Sequence, residues 1–567
     1  MSSYHDLLQL INSFEAYLGN PAKQDSYPIN FQEVLHYDEQ EELAWPQIRF
    51  IQQWGFMEYL IPQHLSGRFV SLDVAFFLAK SLCRRDLTTG IALGLSFLGS
   101  LPLWIAGNER QKKDLVESLR RGEITACALT EEEHGSDIMA NEVAAQPCKN
   151  GWELSGRKWC INFATQGQSV TLLCRTHERG GPLGFSVFFL DKSAIQSGFM
   201  PTPKLPTHGV RGLDISGFSL DKVLLPHDAL IGGEKRGLEI IYKTLQVSRT
   251  LCASFSVGAA DTALRLTLSF SLQRHLYGKT AYEIPVVKQR LGEQFTQLLI
   301  ADCTAIAVAR AASVIPEKLS FWSAIVKFLI PKITEGIVEE CSTVMGARAY
   351  LRTTEWAMLQ KIRRDIQVVG LFDGSSQVNL SVIAGNLVPQ VRMRGDCPPS
   401  QLQKLEGIFN LNSICPELSL ERLGLFTPTE DDILAGLSVL ESKKINTLIK
   451  AIRRELKRLD RQILALQEKK QFDPRSLTAF RLAEHYCWIF AASCCVHFWY
   501  HNQELMARES LGLDWLNLAI QFILNKLNGR VNIEPKLQES MAEHLVLFYE
   551  QNKMLSMIPI KIPDGQL

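Results

Sequence analysis

One carboxylate is placed where it could do chemistry: Asp373 lies between an aromatic residue and a glycine in the stretch FDGSSQVN, residues 372–379. Taken alone, the stretch favours a turn, because an Asp side chain accepts hydrogen bonds from its own backbone and Asp-Gly tolerates tight bends. Ser375 or Ser376 would then cap the helix that follows. The question is whether Asp373 does more than shape this turn.

A second candidate segment is ACALTEEEHGSD, residues 126–137. Thr130 and Ser136 offer hydroxyl groups, and Gly135 lets a backbone approach a ligand closely. A capped turn without a ligand explains the same residues equally well. His134 and His275 are isolated histidines with no partner at metal-ligand spacing, so we interpret both as structural and expect no metal site.

The elements that must position these segments fall into four regions. Helical periodicity with few strand-like alternations predicts an N-terminal helical domain over 1–125, and short β-rich runs between Gly, Pro and Asn signals predict an antiparallel, β-barrel-like middle domain over 126–232. Long helical patterns return over 233–392 as a helical bundle. Residues 393–401 contain a glycine and two consecutive prolines, which do not continue a helix and so predict a domain boundary. A C-terminal helical domain over 402–567 follows it. The predicted fold class is therefore mainly α with a central β domain.

Bulk properties exclude several classes of protein. The 567 residues carry 60 basic and 60 acidic side chains, so there is no overall field for nucleic acid. The thirteen cysteines lack paired CxxC spacing, which disfavours a zinc site or disulfide framework. The N-terminus shows no leader pattern, so we expect a cytoplasmic protein. The apolar run 486–500 is shorter than the ~20 residues that a membrane span needs, and it predicts a buried helix.

The order of several short motifs resembles the acyl-CoA dehydrogenase family of flavoproteins. The resemblance covers roughly residues 40–390 and ends in the stretch that contains Asp373. The matching segments are TEEEHGSD at 130–137, KWCIN at 158–162, RHLYGK at 274–279, MGARAY at 345–350, RRD at 363–365 and FDGSSQ at 372–377.

The resemblance implies an FAD enzyme that removes hydrogens from the α and β carbons of an acyl thioester. It implies that Asp373 is the catalytic base, in the place of the family's glutamate, and that its backbone N–H helps to hold the thioester carbonyl. Asp is one methylene shorter, and about 1 Å of lost reach can cost on the order of a hundredfold. The alternative base position of the family is Ser248 here, which leaves Asp373 without a competitor, and Asp also occurs in relatives such as nitroalkane oxidase.

The resemblance also assigns residues to the cofactor and the substrate. Arg274 matches an arginine that pairs with the FAD pyrophosphate of a neighbouring subunit, which implies a homodimer or homotetramer. Arg249, Ser136 and Phe372 match positions near the substrate. The predicted cofactor-binding set is Leu129, Thr130, Ser136, Trp159, Asn162, Arg274, Tyr277, Gly346, Ser375 and Gln377.

Besides Asp373, four positions depart from the family pattern. In the strand behind the flavin ring, Cys160 replaces an aromatic residue and Asn162 replaces a Thr or Ser. At the cofactor turn, Thr343 replaces a glutamine and Ala347 replaces a glycine. Structural interpretations also exist for the predicted set: Arg274 as a solvated helix-end cation, Tyr277 as core, Arg249 in a buried salt bridge, and Ser375 and Gln377 as helix cap and first turn.

The C-terminal extension resembles that of the very-long-chain branch of the family. Over 443–470, apolar residues step by three and four along one stripe, and ten Lys or Arg stand against three acids on the rest of the surface. A bundle helix with a solvated basic face explains this pattern. Peripheral adsorption to anionic lipid and docking of an acidic acyl carrier protein remain open as functions.

The predicted function is FAD-dependent α,β-dehydrogenation of an acyl thioester, carried by CoA or by an acyl carrier protein, with electrons passing to an electron-transfer flavoprotein or to oxygen. One alternative is a flavin oxidase or monooxygenase on the same fold. Another is a flavin-free adaptor that binds a carrier protein or a membrane. The sequence leaves the acyl chain and the electron acceptor undetermined.

Overall fold

The computed structural model describes residues 4–23, 28–395, 399–426, 431–509, 511–530 and 533–563. The chain begins with a layer of helices, three of which have starts capped by the side chains of Asn30, Asp86 and Asn108. These helices are α1 (Tyr4–Leu18), α2 (Phe31–Gln40), α3 (Trp45–Gln53), α4 (Leu72–Cys83), α5 (Leu87–Ala106) and α6 (Glu109–Arg120). Both α4 and α5 are buried along almost their whole length, which places them at the centre of the molecule.

The middle domain is a sheet with the strand order β6-β7-β3-β2-β4-β5-β8, and β1 pairs with β4 from the side. The strands are β1 (Thr125–Ala128), β2 (Ala144–Cys148), β3 (Gly151–Asn162), β4 (Ser169–Arg175), β5 (Phe185–Asp191), β6 (Phe199–Thr202), β7 (Ile215–Leu225) and β8 (Leu230–Ile231). The predicted fold class is confirmed, but the sheet is mixed: β1 and β2 each run parallel to β4. Strand composition alone does not reveal the direction of pairing, so the all-antiparallel expectation was wrong here.

The second helical layer packs on the first. It contains α7 (Gly237–Gln273), the short hairpin β9 (His275–Leu276) and β10 (Lys279–Thr280), α8 (Pro285–Val314), α9 (Leu319–Met345), α10 (Met358–Asp365) and α11 (Ser376–Arg392). Two helices, α5 and α8, are long and apolar enough to cross a membrane by composition, and 78% and 89% of their apolar windows are buried inside the protein.

The C-terminal region continues as helices that pack onto this layer. They are α12 (Pro399–Phe409), α13 (Asp432–Gly436), α14 (Asn446–Glu468), α15 (Leu477–His501), α16 (Gln503–Arg508), α17 (Asp514–Asn528) and α18 (Pro535–Glu550). The apolar run 486–500 lies buried in α15, as predicted. The centre of the predicted boundary, residues 396–398, lies outside the described residues.

Helix α14 has the two faces that its sequence predicts. Its buried stripe includes Ile449, Ile452, Leu456, Leu459 and Ile463, and it packs against α11, α15 and α17. All ten basic side chains of residues 443–470 are exposed.

A chain segment after α18 inserts into a cluster of buried charges. Asp261 of α7 accepts from Arg84 Nε at 3.1 Å, from Arg265 Nε at 2.9 Å and from the backbone N–H of Leu555 at 2.6 Å. Burial alone would raise the pKa of Asp261, but the two guanidinium groups outweigh it and lower this pKa. Asp261 is therefore a buried carboxylate whose donors come from both ends of the chain.

A second buried carboxylate is completed in the same way. Asp302 of α8 accepts from Lys80 Nζ at 2.6 Å, from the hydroxyl of Ser556 at 2.5 Å and from the backbone N–H of Met557 at 2.8 Å. Lys80, Asp302 and Ser556 are fully buried. The segment that carries Ser556 therefore supplies polar partners that the helices alone do not provide.

We predict that Asp261→Asn lowers the free energy of unfolding by about 3–5 kcal/mol, because it leaves two buried guanidinium groups without their counter-charge. Asp228→Asn is the matched control. Asp228 pairs with Arg110 at the surface, where an ion pair contributes about 0–1 kcal/mol. Urea unfolding followed by circular dichroism measures both variants, and equal midpoints would contradict the prediction.

Candidate functional site

Asp373 lies on a turn between the single-turn helix of residues 366–370 and α11. Its backbone has a φ of 54°, in the left-handed region, and Gly374 follows with a φ of 90°. The Ser375 hydroxyl caps α11 by accepting from the backbone N–H of Val378 at 3.4 Å. The predicted turn and helix cap are therefore present, and the turn is strained at the carboxylate itself.

Arg249 of α7 holds this turn from one side. Its Nε donates to the backbone carbonyl of Asp373 at 2.9 Å, and a Cβ added to Gly374 would lie 2.8 Å from its Nη2. Burial lowers the pKa of Arg249, and the Asp373 carboxylate opposes this shift. Arg249 thus forms a hydrogen bond to the backbone of Asp373, the candidate base. Its role is therefore more than that of one partner in a buried salt bridge.

Cys252 and Lys327 approach the same turn from α7 and α9. The Cys252 thiol donates to the Asp373 carboxylate, with 3.6 Å between Sγ and Oδ2. Burial, and to a smaller extent the negative charge of Asp373, raises the pKa of this thiol well above its usual value. Lys327 Nζ donates to the carbonyl of Val369 at 2.5 Å and lies 5.1 Å from the ring centre of Phe372. Both groups fix the position of the turn without forming a salt bridge to the carboxylate.

Asp373 faces a large cavity of ≈ 1630 Å³ between the sheet, α7 and α11. The cavity is larger than the roughly 300–1,000 Å³ of ordinary small-molecule sites. Most of the predicted site residues line it: Leu129, Thr130, Ser136, Trp159, Asn162, Arg249, Phe372, Asp373 and Ser375.

The remaining predicted residues are not brought into this cavity. Arg274, Tyr277 and Gly346 lie beyond the ends of α7 and α9, and Gln377 points to solvent from the start of α11. The Tyr277 side chain is 94% exposed, which excludes the core position that its residue type alone would favour.

A second, smaller cavity of ≈ 40 Å³ lies on the other side of the turn, between α4, α5 and α7. Three residues line both cavities: Leu98, Phe372 and Asp373. The candidate base is thus part of the wall between a large chamber and a small apolar one.

The loop that carries Thr130 and Ser136 is anchored by a buried ion pair. Lys158 Nζ donates to Glu131 Oε1 at 2.8 Å and to the Leu129 carbonyl at 2.9 Å. Burial would raise the pKa of Glu131, but Lys158 and two backbone N–H groups outweigh it and lower this pKa. The loop is therefore held rigidly against β3.

The strand behind the cavity carries a β-bulge between Lys158 and Ile161. Cys160, inside the bulge, has a φ of 56° and is exposed, and it lines the cavity together with Trp159 and Asn162. A β-bulge changes the direction in which neighbouring side chains point. Cys160 thus replaces the aromatic residue of the family pattern at a position where the strand is irregular.

Several polar atoms of the large cavity are buried without a hydrogen-bond partner among the described residues. They are Asn162 Oδ1, Thr207 Oγ1 and Gln246 Oε1. Buried polar atoms normally have partners, so these atoms fit a polar ligand. Together with the cavity volume, they fit a flavin dinucleotide. No cluster of metal-ligating side chains occurs in the described part of the chain.

Two family models match the chain: the acyl-CoA dehydrogenase middle domain over residues 126–223 and the acyl-CoA dehydrogenase C-terminal domain over residues 235–388. The chain therefore contains acyl-CoA dehydrogenase middle and C-terminal domains. The short-chain specific acyl-CoA dehydrogenase of Bos taurus mitochondria is 24% identical over 385 residues, which cover 65% of this chain and 88% of that relative.

Solved structures of acyl-CoA dehydrogenases share the fold. The acyl-CoA dehydrogenase complexed with FAD from Bacillus anthracis superposes with a TM-score of 0.73 at 16% identity, over 96% of this chain and 92% of that chain. Butyryl-CoA dehydrogenase from Megasphaera elsdenii has a TM-score of 0.61 at 21% identity, over 68% of this chain and 98% of that chain. The C-terminal helices are therefore part of a fold shared with the first structure.

Sequence reasoning missed some residues of this candidate site. Cys252 and Phe255 lie four and seven residues after Ser248 in α7, and this spacing places the three side chains on one face of the helix. The sequence pattern could therefore have indicated both residues. Lys327 is a lone cation inside the apolar run of α9. Leu425 and Phe426 also line the large cavity, and no motif signals that the C-terminal region reaches it.

We predict that Gly374→Ala lowers the free energy of unfolding by about 1–3 kcal/mol, because it strains a left-handed position and pushes a Cβ into the buried Arg249 guanidinium. Gly336→Ala is the control, since Gly336 lies in α9 with nothing within 4 Å of a new Cβ and should gain up to about 1 kcal/mol. Urea denaturation compares the two, and equal effects would count against a constrained turn.

Proposed function

We propose that this protein is an FAD-dependent enzyme that converts an acyl thioester to its 2-enoyl thioester. The observation that carries the proposal is the place of Asp373 in the wall between the two cavities. A thioester that extends its acyl chain into the small apolar cavity has its α carbon next to this carboxylate. The acyl-CoA dehydrogenase middle and C-terminal domains of the chain support the same reaction.

Asp373 removes the proton from the α carbon, as a general base within hydrogen-bond reach. Bound FAD supplies the hydride acceptor for the β carbon. The thioester carbonyl needs donors as negative charge develops on its oxygen. Among the described residues, the backbone N–H of Asp373 donates to no other acceptor, so it is available for this carbonyl.

Arg249, Cys252 and Lys327 keep the base in place. Arg249 bonds to the backbone of Asp373, Cys252 bonds to its carboxylate, and Lys327 bonds to the turn that precedes it. The rate of catalysis falls sharply when a catalytic group is displaced from its correct position. A rigid turn that holds the carboxylate in place therefore compensates for the short side chain of an aspartate.

The cofactor would be held by two sets of residues. Leu129, Thr130, Ser136, Trp159 and Asn162 would contact it from within the large cavity. Arg274, Tyr277 and Gly346 are remote from that cavity, so we propose that they contact the cofactor of a second copy of the chain. A guanidinium on the exterior suits a pyrophosphate. The enzyme would then be a homodimer at least, working in the cytoplasm.

We expect Asp373→Asn to lower turnover by roughly 10²–10⁴-fold, the usual contribution of a general base. The measurement is the visible spectrum of the purified enzyme, titrated anaerobically with acyl-CoAs and acyl carrier proteins. The wild type should lose its oxidised-flavin absorbance, and the variant should bind without this loss. Asp373→Glu, which keeps the carboxylate, should retain part of the activity.

Two results would overturn the mechanism: a protein that stays free of FAD after incubation with it, or an Asp373→Asn variant that bleaches as fast as the wild type. A parallel assay in air measures oxygen consumption and peroxide without an added acceptor. Rapid peroxide formation would identify oxygen, and its absence would favour an electron-transfer flavoprotein as the acceptor.

The exposed basic face of α14 supports a further part of the proposal. Arg453, Arg454 and Lys457 form no ion pair with any described residue, and α14 packs on α11, whose residues line the large cavity. Charge complementarity favours an acidic acyl carrier protein that delivers the substrate on its flexible arm.

We predict that Arg453→Glu, Arg454→Glu and Lys457→Glu together reduce kcat/KM for acyl carrier protein substrates by at least about tenfold at low salt and leave acyl-CoA turnover unchanged. Lys149→Glu with Lys536→Glu reverses charges elsewhere on the exposed surface and should change neither rate. Equal losses for both carriers would reject the docking site. Loss of binding to anionic vesicles instead would assign the face to a lipid surface.

A further inference from the structure

The small cavity behind Asp373 is lined by closely packed elements. It is bounded by α4, α5 and α7 and by the turn of residues 56–60. Tyr59, on that turn, is 8% exposed, and its ring stacks on Trp54 with ring centres 5.4 Å apart. The floor is therefore built from packed aromatic side chains that cannot move aside without disturbing the core.

The volume of this cavity sets a scale for what it can hold. A space of about 10–15 Å³ on this measure accommodates one water-sized group. The cavity of ≈ 40 Å³ therefore accommodates about three such groups in a row beyond the reacting carbons.

One bulky side chain crosses between two of the helices that line the cavity. Phe255 of α7 projects across the cavity towards Gly94 of α5, where an added Cβ would lie 2.7 Å from Phe255 Cζ. The ring is 5% exposed and stacks on Phe372, with ring centres 6.4 Å apart and an interplanar angle of 27°. Phe255 fits in this position because residue 94 has no side chain.

The apolar lining of the small cavity restricts the polarity of the acyl group, in addition to its length. Apart from the groups next to the turn, Ser248, Cys252 and Asp373, the lining is aliphatic or aromatic, with the Tyr59 hydroxyl as the remaining polar group. A polar or charged acyl group would lose its water without gaining partners.

We propose that the enzyme takes short, unsubstituted apolar acyl groups, of about four to six carbons, and that Phe255, packed against Gly94, sets this limit. The inference rests on the proposed function, because it assigns the small cavity to the acyl chain. Phe255 acts here as a specificity-determining residue, distinct from the base and from the groups that hold it.

The test uses the FAD-loaded enzyme and a series of straight-chain acyl-CoAs. Wild-type kcat/KM should be highest at about four to six carbons and at least about tenfold lower at ten carbons. The reason is that methylene groups that do not fit the cavity weaken binding of the transition state. Phe255→Ala should raise the ten-carbon to four-carbon ratio of kcat/KM by at least about tenfold. Gly94→Ala should lower activity on six carbons by crowding the ring.

A binding measurement separates recognition from chemistry. In an Asp373→Asn background, which binds without turnover, Phe255→Ala should strengthen binding of the ten-carbon thioester relative to the four-carbon one. Phe255→Leu is the milder second variant if the alanine protein does not fold. Phe270→Ala is the control, because Phe270 is a buried phenylalanine of the same helix that lines neither cavity, and it should leave the ratio unchanged.

The outcomes distinguish this inference from the proposed function. A wild type that uses ten carbons as well as four, or a ratio that Phe255→Ala and Phe255→Leu leave unchanged, overturns the length limit while dehydrogenation stands. An FAD-loaded enzyme whose flavin is reduced by no thioester of any length overturns the proposed function itself.

Discussion

The buried charges between α4, α7 and α8 are the constraint on which the rest of the structure depends. Asp261 and Asp302 lie inside the helical core and are held by cations from α4 and by the segment after α18. Buried ion pairs gain little stability over apolar packing, but their geometry must be satisfied in full. They therefore fix how α4 and α7 face each other, and these two helices line the small cavity together with α5.

The turn at Asp373 shows that a structural role and a chemical role can belong to the same residues. Ser375 caps α11, and Asp373 adopts the left-handed backbone that an Asp-Gly turn allows. The cap positions the start of α11, and Arg249 restrains the turn through its carbonyl. The carboxylate is presented at the wall of the cavities as a result of the turn, so the two interpretations of FDGSS do not compete.

The helices and the hydrophobic stripe of α14 could be predicted because their periodicity is local. The ordered motifs also indicated the family, and most of the site residues predicted from them line the large cavity, Thr130, Ser136, Trp159 and Asn162 among them. The parallel pairing of β1 with β4, the approach of Lys327 to the turn and the contribution of Phe426 could not be predicted. Each depends on contacts between segments far apart in the chain, and a single sequence does not encode these contacts as a pattern.

The segment after α18 also has a consequence for how the protein is made. Leu555 donates to a carboxylate 294 residues earlier, and Ser556 donates to one 254 residues earlier. Synthesis proceeds from the N-terminus, and early domains fold while later ones are still being added. On the ribosome, α7 and α8 are thus synthesised well before residues 555–557, and until those residues are added the two carboxylates lack their last donors. The helical layer that carries Asp373 therefore reaches its final packing only after residues 555–557 have been added and have left the ribosome.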